Sequence, residues 1–155
     1  ISVDDFYLDF SKVTNFISFP FFKALSGIAY GNLHIGGFST DPDFSGALIA
    51  ENFLFSVPDY VNENLYSKQI KIDVEENAFV INNLAARTKK GYVDATIRFE
   101  FDRWALYEVI VDVSTRGSNL VSGKFIMPTM QFEGDVALDL NIDVLLWKRM
   151  KMART

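Results

Sequence analysis

Apolar and polar residues alternate over much of the chain. From residue 92 to 101, Val93, Ala95, Ile97, Phe99 and Phe101 fall on one side. Asp94, Thr96, Arg98 and Glu100 fall on the other. A period of two belongs to an extended strand with one dry face. Residues 106–114 repeat it through Val109, Val111 and Val113, and residues 69–75 through Ile70, Ile72 and Val74. Leu33 and Ile35 flank His34 in the same manner.

The longest run is 130–144. Met130, Phe132, Val136, Leu138, Leu140, Ile142 and Val144 share one side, with Gly134 in register, and acids and amides fill most of the other. Read as one strand, this run extends roughly 50 Å at about 3.3 Å per residue. Such a strand overhangs its partners in a compact sandwich and fits better in a wide, curved sheet.

Turn chemistry separates the strands. Gly36-Gly37, Asp41-Pro42-Asp43, Pro58-Asp59, Glu76-Asn77, Lys89-Lys90-Gly91 and 116–119 interrupt the alternation. They predict about eight to ten strands joined mostly as antiparallel meanders. Residues 11–27 do not alternate. Val13, Phe16 and Ile17 stand at helical spacing, Pro20 suits a first helical turn and Gly27 a C-terminal cap. The expected fold is therefore all-β, a long curved antiparallel sheet over 28–144, with a short helix in 11–27 and a basic tail at 145–155. The helix is expected to cap one end of the β core; the sharper alternative is a plug or a lipid contact.

A faint internal echo adds to the β reading. Gly31 to Ile35, followed by Phe44-Ser45-Gly46-Ala47-Leu48, resembles Gly123 to Met127, followed by Phe132-Glu133-Gly134-Asp135-Val136. A recurring strand–turn–strand unit, with glycine at bends or bulges, accounts for it.

Composition narrows the function. The 155 residues are 49% hydrophobic and 23% charged, which excludes disorder for most of the chain. No apolar run reaches the ~18 residues of a membrane-spanning helix. The first residue is Ile1 and no signal-peptide pattern is present, so the chain reads as a single segment of a longer protein. The absence of cysteine removes disulfides, thiolate metal sites and cysteine nucleophiles, and a single histidine removes multi-histidine metal sites. Residues 1–144 hold 11 Lys+Arg against 20 Asp+Glu, whereas Lys148, Arg149, Lys151 and Arg154 make the tail basic. An acidic body argues against nucleic acid. With Trp147 beside it, the tail could rest on an anionic membrane; a strand end running into the next segment is the plainer reading. The 15 Phe, 6 Tyr and 2 Trp imply a large apolar surface that something must cover.

Catalytic chemistry is sparse. His34 lies on the polar side of its strand, and no Gly-x-Ser-x-Gly elbow accompanies it. Acid pairs such as Asp41/Asp43 and Glu100/Asp102 are common by chance in an acidic protein, and 41–43 lacks the ligand spacing of a calcium loop. No phosphate- or dinucleotide-binding glycine pattern appears. The expectation is a non-enzyme without cofactor or metal.

The phrase Leu25-Ser26-Gly27-Ile28-Ala29-Tyr30-Gly31-Asn32-Leu33-His34-Ile35-Gly36-Gly37 precedes Pro42-Asp43-Phe44-Ser45-Gly46-Ala47-Leu48 and then Phe53-Leu54-Phe55-Ser56-Val57-Pro58. It resembles the C-terminal repeat region of the TamB branch of AsmA-like proteins, and residues 70–84, 91–101 and 123–141 continue in the order that region shows. The likeness spans roughly residues 12–144. The Phe-rich 16–22 stretch, the compressed phrase at 123–134 and the basic tail depart from it.

The resemblance implies an open, U-shaped β groove with an apolar lining, in the periplasm of a diderm bacterium, with the parent chain anchored at the inner membrane. It implies phospholipid acyl chains as cargo, neighbouring segments of the same parent chain as contacts and a BamA-like outer-membrane barrel as a partner in outer-membrane biogenesis. The alternating apolar positions named above would then line the groove. Two other readings fit the same alternation. One is a closed β-sandwich binding a carbohydrate or protein ligand through loops 36–44 and 115–119. The other is a structural spacer in a surface protein.

Overall fold

The structure is a computed structural model that describes residues 2–13, 23–127 and 129–146. Ten strands and one short helix follow in order: β1 Ser2–Asp9, α1 Phe10–Val13, β2 Lys23–Phe38, β3 Asp41–Ser56, β4 Leu65–Glu75, β5 Ala78–Thr88, β6 Gly91–Asp102, β7 Ala105–Thr115, β8 Val121–Met127, β9 Met130–Val136 and β10 Asp139–Leu145. Eight of them form one open antiparallel sheet in the order β1-β2-β3-β4-β5-β6-β7-β10, and β8 and β9 pair as a separate hairpin. The expected all-β fold, with an unclosed antiparallel sheet and a short helix near the N-terminus, is what the chain adopts.

Local chemistry explains the turns. Glu76 and Asn77 both have positive φ, 47° and 62°, the conformation of a tight hairpin turn. The Asn77 side chain also accepts a hydrogen bond from the Phe44 N–H at 2.9 Å, where β3 has run past its pairing with β4. Gly36-Gly37 and Asp41-Pro42-Asp43 are strand residues, and the turn lies between them at 39–40.

The helical expectation is corrected at residues 23–27. The helix covers Phe10–Val13, and residues 23–27 belong to β2. Gly27 has φ +126° within an irregular stretch of the β2–β3 pairing, so it serves a bulge instead of a helix cap. Residues 14–22 and 147–155, and with them Pro20 and most of the basic tail, lie outside the described residues.

The run 130–144 is a correction of a different kind. It is two strands, β9 and β10, divided at Ala137-Leu138. β9 pairs with β8, and only β10 joins the large sheet, against β7 through Leu140↔Val113, Ile142↔Val111 and Val144↔Val109. Leu138 still holds β7: its N–H donates to Thr115 Oγ1 at 2.8 Å, and its carbonyl accepts from Thr115 N at 2.8 Å.

The hairpin β8–β9 reaches from the end of β7 to the β3–β4 loop. Val61 bridges to Gly123, Lys90 to Leu120, and the Thr88 hydroxyl donates to the Leu120 carbonyl at 2.9 Å. Val121 is 1% exposed in consequence. An ion pair between Lys90 and Asp135 ties the hairpin to the β5–β6 turn.

The glycine echo marks the β2–β3 and β8–β9 hairpins. In the first, Gly31 lies opposite Leu48 and Gly46 opposite Leu33. Both have φ near +145°, at +146° and +144°, and a Cβ on either would stand 2.2 Å from a backbone carbonyl oxygen of the facing strand. Only glycine lets β2 and β3 approach there. Gly46→Ala is expected to destabilise the fold by about 3 kcal/mol, from a forbidden φ and a backbone clash together. Gly117→Ala, at φ +61° with nothing within 4 Å, is expected to cost about 1 kcal/mol. Urea unfolding midpoints of the two variants measure the difference.

Candidate functional site

One side of the large sheet is apolar across all eight strands. On β6 and β7 the facing pairs are Val93–Thr115, Ala95–Val113, Ile97–Val111 and Phe99–Val109. On β5 the face continues through Phe79, opposite Phe99, and Ile81, opposite Ile97. Val74 lies opposite Phe79, and Ile72 and Ile70 share its parity. Leu48 and Ala50 follow on β3, opposite Ile72 and Ile70. Leu33 and Ile35 follow on β2, opposite Gly46 and Phe44. Phe6 and Leu8 of β1 lie opposite Gly31 and Ala29.

The inward parity changes part-way along several strands. On β3 it passes from Leu48 and Ala50 to Phe53 and Phe55, with Asn52 at φ 51° between them. On β4 it passes from Ile70 to Ser67 and Leu65, and on β5 from Ile81 to Leu84 and Ala86 across a register shift. These slips lie side by side. They keep buried side chains on one face while the strands turn, the usual use of irregularities in a curved sheet.

The sheet curls at the end that carries the β2–β3, β4–β5 and β6–β7 turns. Phe44 of β3 and Phe101 of β6 have ring centroids 6.2 Å apart. Flat-sheet spacing would hold those strands about 14 Å apart. Trp104, in the β6–β7 turn, meets Phe44 edge-on at 5.4 Å and donates its indole N–H to the Ser39 carbonyl of the β2–β3 turn at 2.8 Å. Those turns would stand about 19 Å apart in a flat sheet. With Phe79, 5.2 Å from Phe101, these rings stop this end of the apolar face.

Burial along the face is uneven. Ile70 and Val74 are 3% exposed, Val109 4% and Val93 6%, so they belong to the packed core. Leu33, Ile35, Ile72, Ile97, Phe99, Phe101, Val111, Val113 and Val144 are half-buried. Leu140 and Ile142, on the outermost strand, are 43% and 42% exposed. Met130, Phe132 and Val136, expected on the same track, lie on β9 outside the large sheet, with Met130 61% and Phe132 46% exposed. Leu138 lies just before β10, in the connection from β9. Phe44, Leu48, Phe53, Phe55, Phe79, Ile81 and Leu84 belong to the face and were missed; each alternates locally, but the parity slips break the longer pattern.

The opposite side is mostly polar, with Val80 and Ile110 as apolar exceptions beside Arg98. A shallow depression of about 240 Å³ there is lined by Asn82, Asn83, Asp94, Asp112 and Asn141 among others. Glu100 accepts from Arg98 Nε at 2.6 Å and from the Tyr107 hydroxyl at 2.5 Å. The Arg98 hydrogen bond and then the Tyr107 one hold the Glu100 carboxyl below its ordinary range. The hydrogen bond to Glu100 pushes the Tyr107 phenol up to about 12. Among the described residues no three acids or imidazoles gather as a metal site, and His34 is exposed.

The two shifts act at opposite ends of the pH scale. A depressed carboxyl stabilises the fold above its unfolded value and loses that contribution as pH falls through the folded one. A raised phenol stabilises below about 10, its ordinary value, and loses that contribution as pH rises through about 12. In Glu100→Gln the phenol of Tyr107 is expected to titrate closer to the ordinary tyrosine value. Ultraviolet titration against Tyr107→Phe identifies the transition.

Compared with known protein families, with curated proteins and with solved structures, the chain matches none.

Proposed function

We propose that the chain is a segment of a TamB-like envelope protein whose apolar sheet face shields phospholipid acyl chains in passage between the two membranes of a diderm bacterium. The observation that carries this reading is a one-sided apolar face that runs over all eight strands of the large sheet, to which the described residues add only the two-stranded β8–β9 hairpin at one end. A sheet with one dry face needs a covering layer. Packed core side chains supply it at Ile70, Val74, Val93 and Val109, while Leu33, Ile35, Ile72, Val111 and Val113 are half-buried and the face is most open on β10, at Leu140 and Ile142.

Acyl chains have the right chemistry for that remainder. Each methylene taken from water is worth about 0.8 kcal/mol, so two chains of about 15 methylenes each would escape roughly 24 kcal/mol of hydration penalty along a continuous dry track. Such a track needs apolar continuity more than particular side chains. The proposed partners, a neighbouring segment of the parent chain and a BamA-like barrel, follow from the TamB-like phrases, as do the periplasmic setting and the anchorage of the parent chain at the inner membrane. No catalytic residue, cofactor or metal has a part in this reading.

A photo-crosslinking amino acid at Ile142 or Val111 is expected to capture phospholipid when the protein is made in a diderm host, and one at Asp143 or Asp112 is not. Ile97→Glu is expected to abolish capture at Val111 while the far-ultraviolet circular dichroism keeps its β signature. Equal labelling from both sides of the sheet, or none from either, would sink the proposal. Capture of a carbohydrate or protein from the 39–40 turn instead would favour the binding-module reading.

A further inference from the structure

We propose that the β8–β9 hairpin is a clasp that closes over one end of the apolar face and lifts to admit an acyl chain, a role that rests on the acyl-chain reading above. β8 lies crosswise over the strand ends. Leu120, just before it, bridges to Lys90 in the β5–β6 turn, and Gly123 bridges to Val61 in the β3–β4 loop. Three residues of extended chain span about 10 Å, and two strand spacings also come to about 10 Å. β8 therefore runs as a bar from one turn to the next, and it packs against β6. Val93, the apolar side chain at that end of β6, is 6% exposed, whereas Ala95, Ile97 and Phe99 further along the strand are half-buried. The clasp covers the end, and the face opens beyond it.

A hinge is built into its base. The hairpin leaves the sheet after Thr115 and returns at Leu138, and these two residues are bonded to each other. The Thr115 N–H donates to the Leu138 carbonyl and the Leu138 N–H to the Thr115 hydroxyl, both at 2.8 Å. Both legs thus emerge from one pinned point. Gly117, at φ +61° with nothing within 4 Å of a Cβ placed there, gives the first leg room to turn. The hairpin can swing while β10 stays paired with β7.

The ties that hold the clasp shut are mostly polar. The Asn62 N–H donates to the Ser122 carbonyl at 3.0 Å, and the Lys124 N–H to the Tyr60 carbonyl at 2.9 Å. The Asn62 side-chain amide donates to Glu133 at 3.1 Å, and Asp135 accepts from the Lys90 ammonium and the Ser122 hydroxyl. Bonds of this kind exchange for bonds to water at small net cost. Glu63 opposes closure. It is 7% exposed and follows Asn62 in the β3–β4 loop. One of its carboxylate oxygens accepts from the Lys89 N–H at 3.4 Å; the other is buried with no hydrogen-bond partner among the described residues. An acceptor shut away from water without a donor is unfavourable. Lifting the hairpin returns that oxygen to water, so the closed position carries its own opposition.

The bonds at 60–124 and 62–122 flank Val61 and Gly123, which makes these two a close non-hydrogen-bonded pair suited to a disulfide. The chain has no cysteine of its own. Val61→Cys with Gly123→Cys locks the clasp when oxidised, and Lys90→Cys with Leu120→Cys does so at the other bridge should the first pair fail to fold. The probe is a photo-crosslinking amino acid at Val111, with vesicles of phosphatidylethanolamine and phosphatidylglycerol. Oxidation is expected to lower lipid capture several-fold and reductant to restore it. Equal capture by locked and reduced protein would overturn the proposal and leave the acyl-chain reading standing; no capture by the unlocked protein either would sink that reading and the clasp's role with it. Hydrogen exchange of the lipid-free protein reads the motion itself. The Asn62 and Lys124 amides are expected to exchange faster than those inside β4–β6, faster still in Asp135→Asn or added salt, and several-fold slower in Glu63→Met. Protection equal to the sheet interior and unmoved by these changes would show a fixed brace and overturn the proposal.

Discussion

An apolar sheet face must be covered, and the described residues cover this one only in part. Hydration of hydrocarbon costs about 25 cal/mol per Å² of exposed surface, so half-open residues on several neighbouring strands are a standing penalty. The chain meets it differently along the sheet. On β3, beside α1, the face is closed by its own bulk, with Phe53 and Phe55 stacked at 5.3 Å and Phe10 of α1 edge-on to Phe53 at 5.1 Å. Towards β10 that cover thins out, and Leu140 and Ile142 stand in the open.

The two ends of the sheet carry different stoppers. At the end with the β2–β3, β4–β5 and β6–β7 turns, four aromatic side chains crowd together, and one indole hydrogen bond joins turns that four strand spacings would otherwise separate. At the opposite end the β8–β9 hairpin crosses to the β3–β4 loop and is held by backbone bridges and the Lys90–Asp135 ion pair. Both devices draw distant strands towards one another. The large sheet itself stays unclosed, so curvature and openness coexist.

How much of this was legible in the sequence depended on how regular each strand is. β6 and β7 carry their apolar residues at odd positions over nearly their whole length, and their faces could be read directly. β3 and β5 could not be read in the same way, because Glu51-Asn52 and Asn82-Asn83 each shift the inward parity by one, and a two-residue period carries no memory across such a slip. The run 130–144 misled for the opposite reason. Its interruption at Ala137-Leu138 is two residues long, so Val136, Leu138 and Leu140 keep one parity and the alternation continues straight through a change of partner. Pairing is a long-range property, and nothing local distinguishes one strand from two when the step between them is even. The residues around Gly27 were misjudged because glycine serves a helix end and a strand bulge equally well; the partner strand decides which.

The insertion of a hairpin between β7 and its neighbour β10 has a consequence for the order of assembly. Every other adjacent pair in the sheet is also adjacent in sequence, and most need only a short reversal to meet. β10 reaches β7 after the chain has left and returned, with Asp139 opposite Ser114. Closing that longer excursion costs more chain entropy, so β10 docks late and has the least to hold it once docked. The margin where the oily surface is barest is therefore also the first to fray: a hinged lip, whose lifting exposes the flank of β7 while the rest of the sheet stays folded.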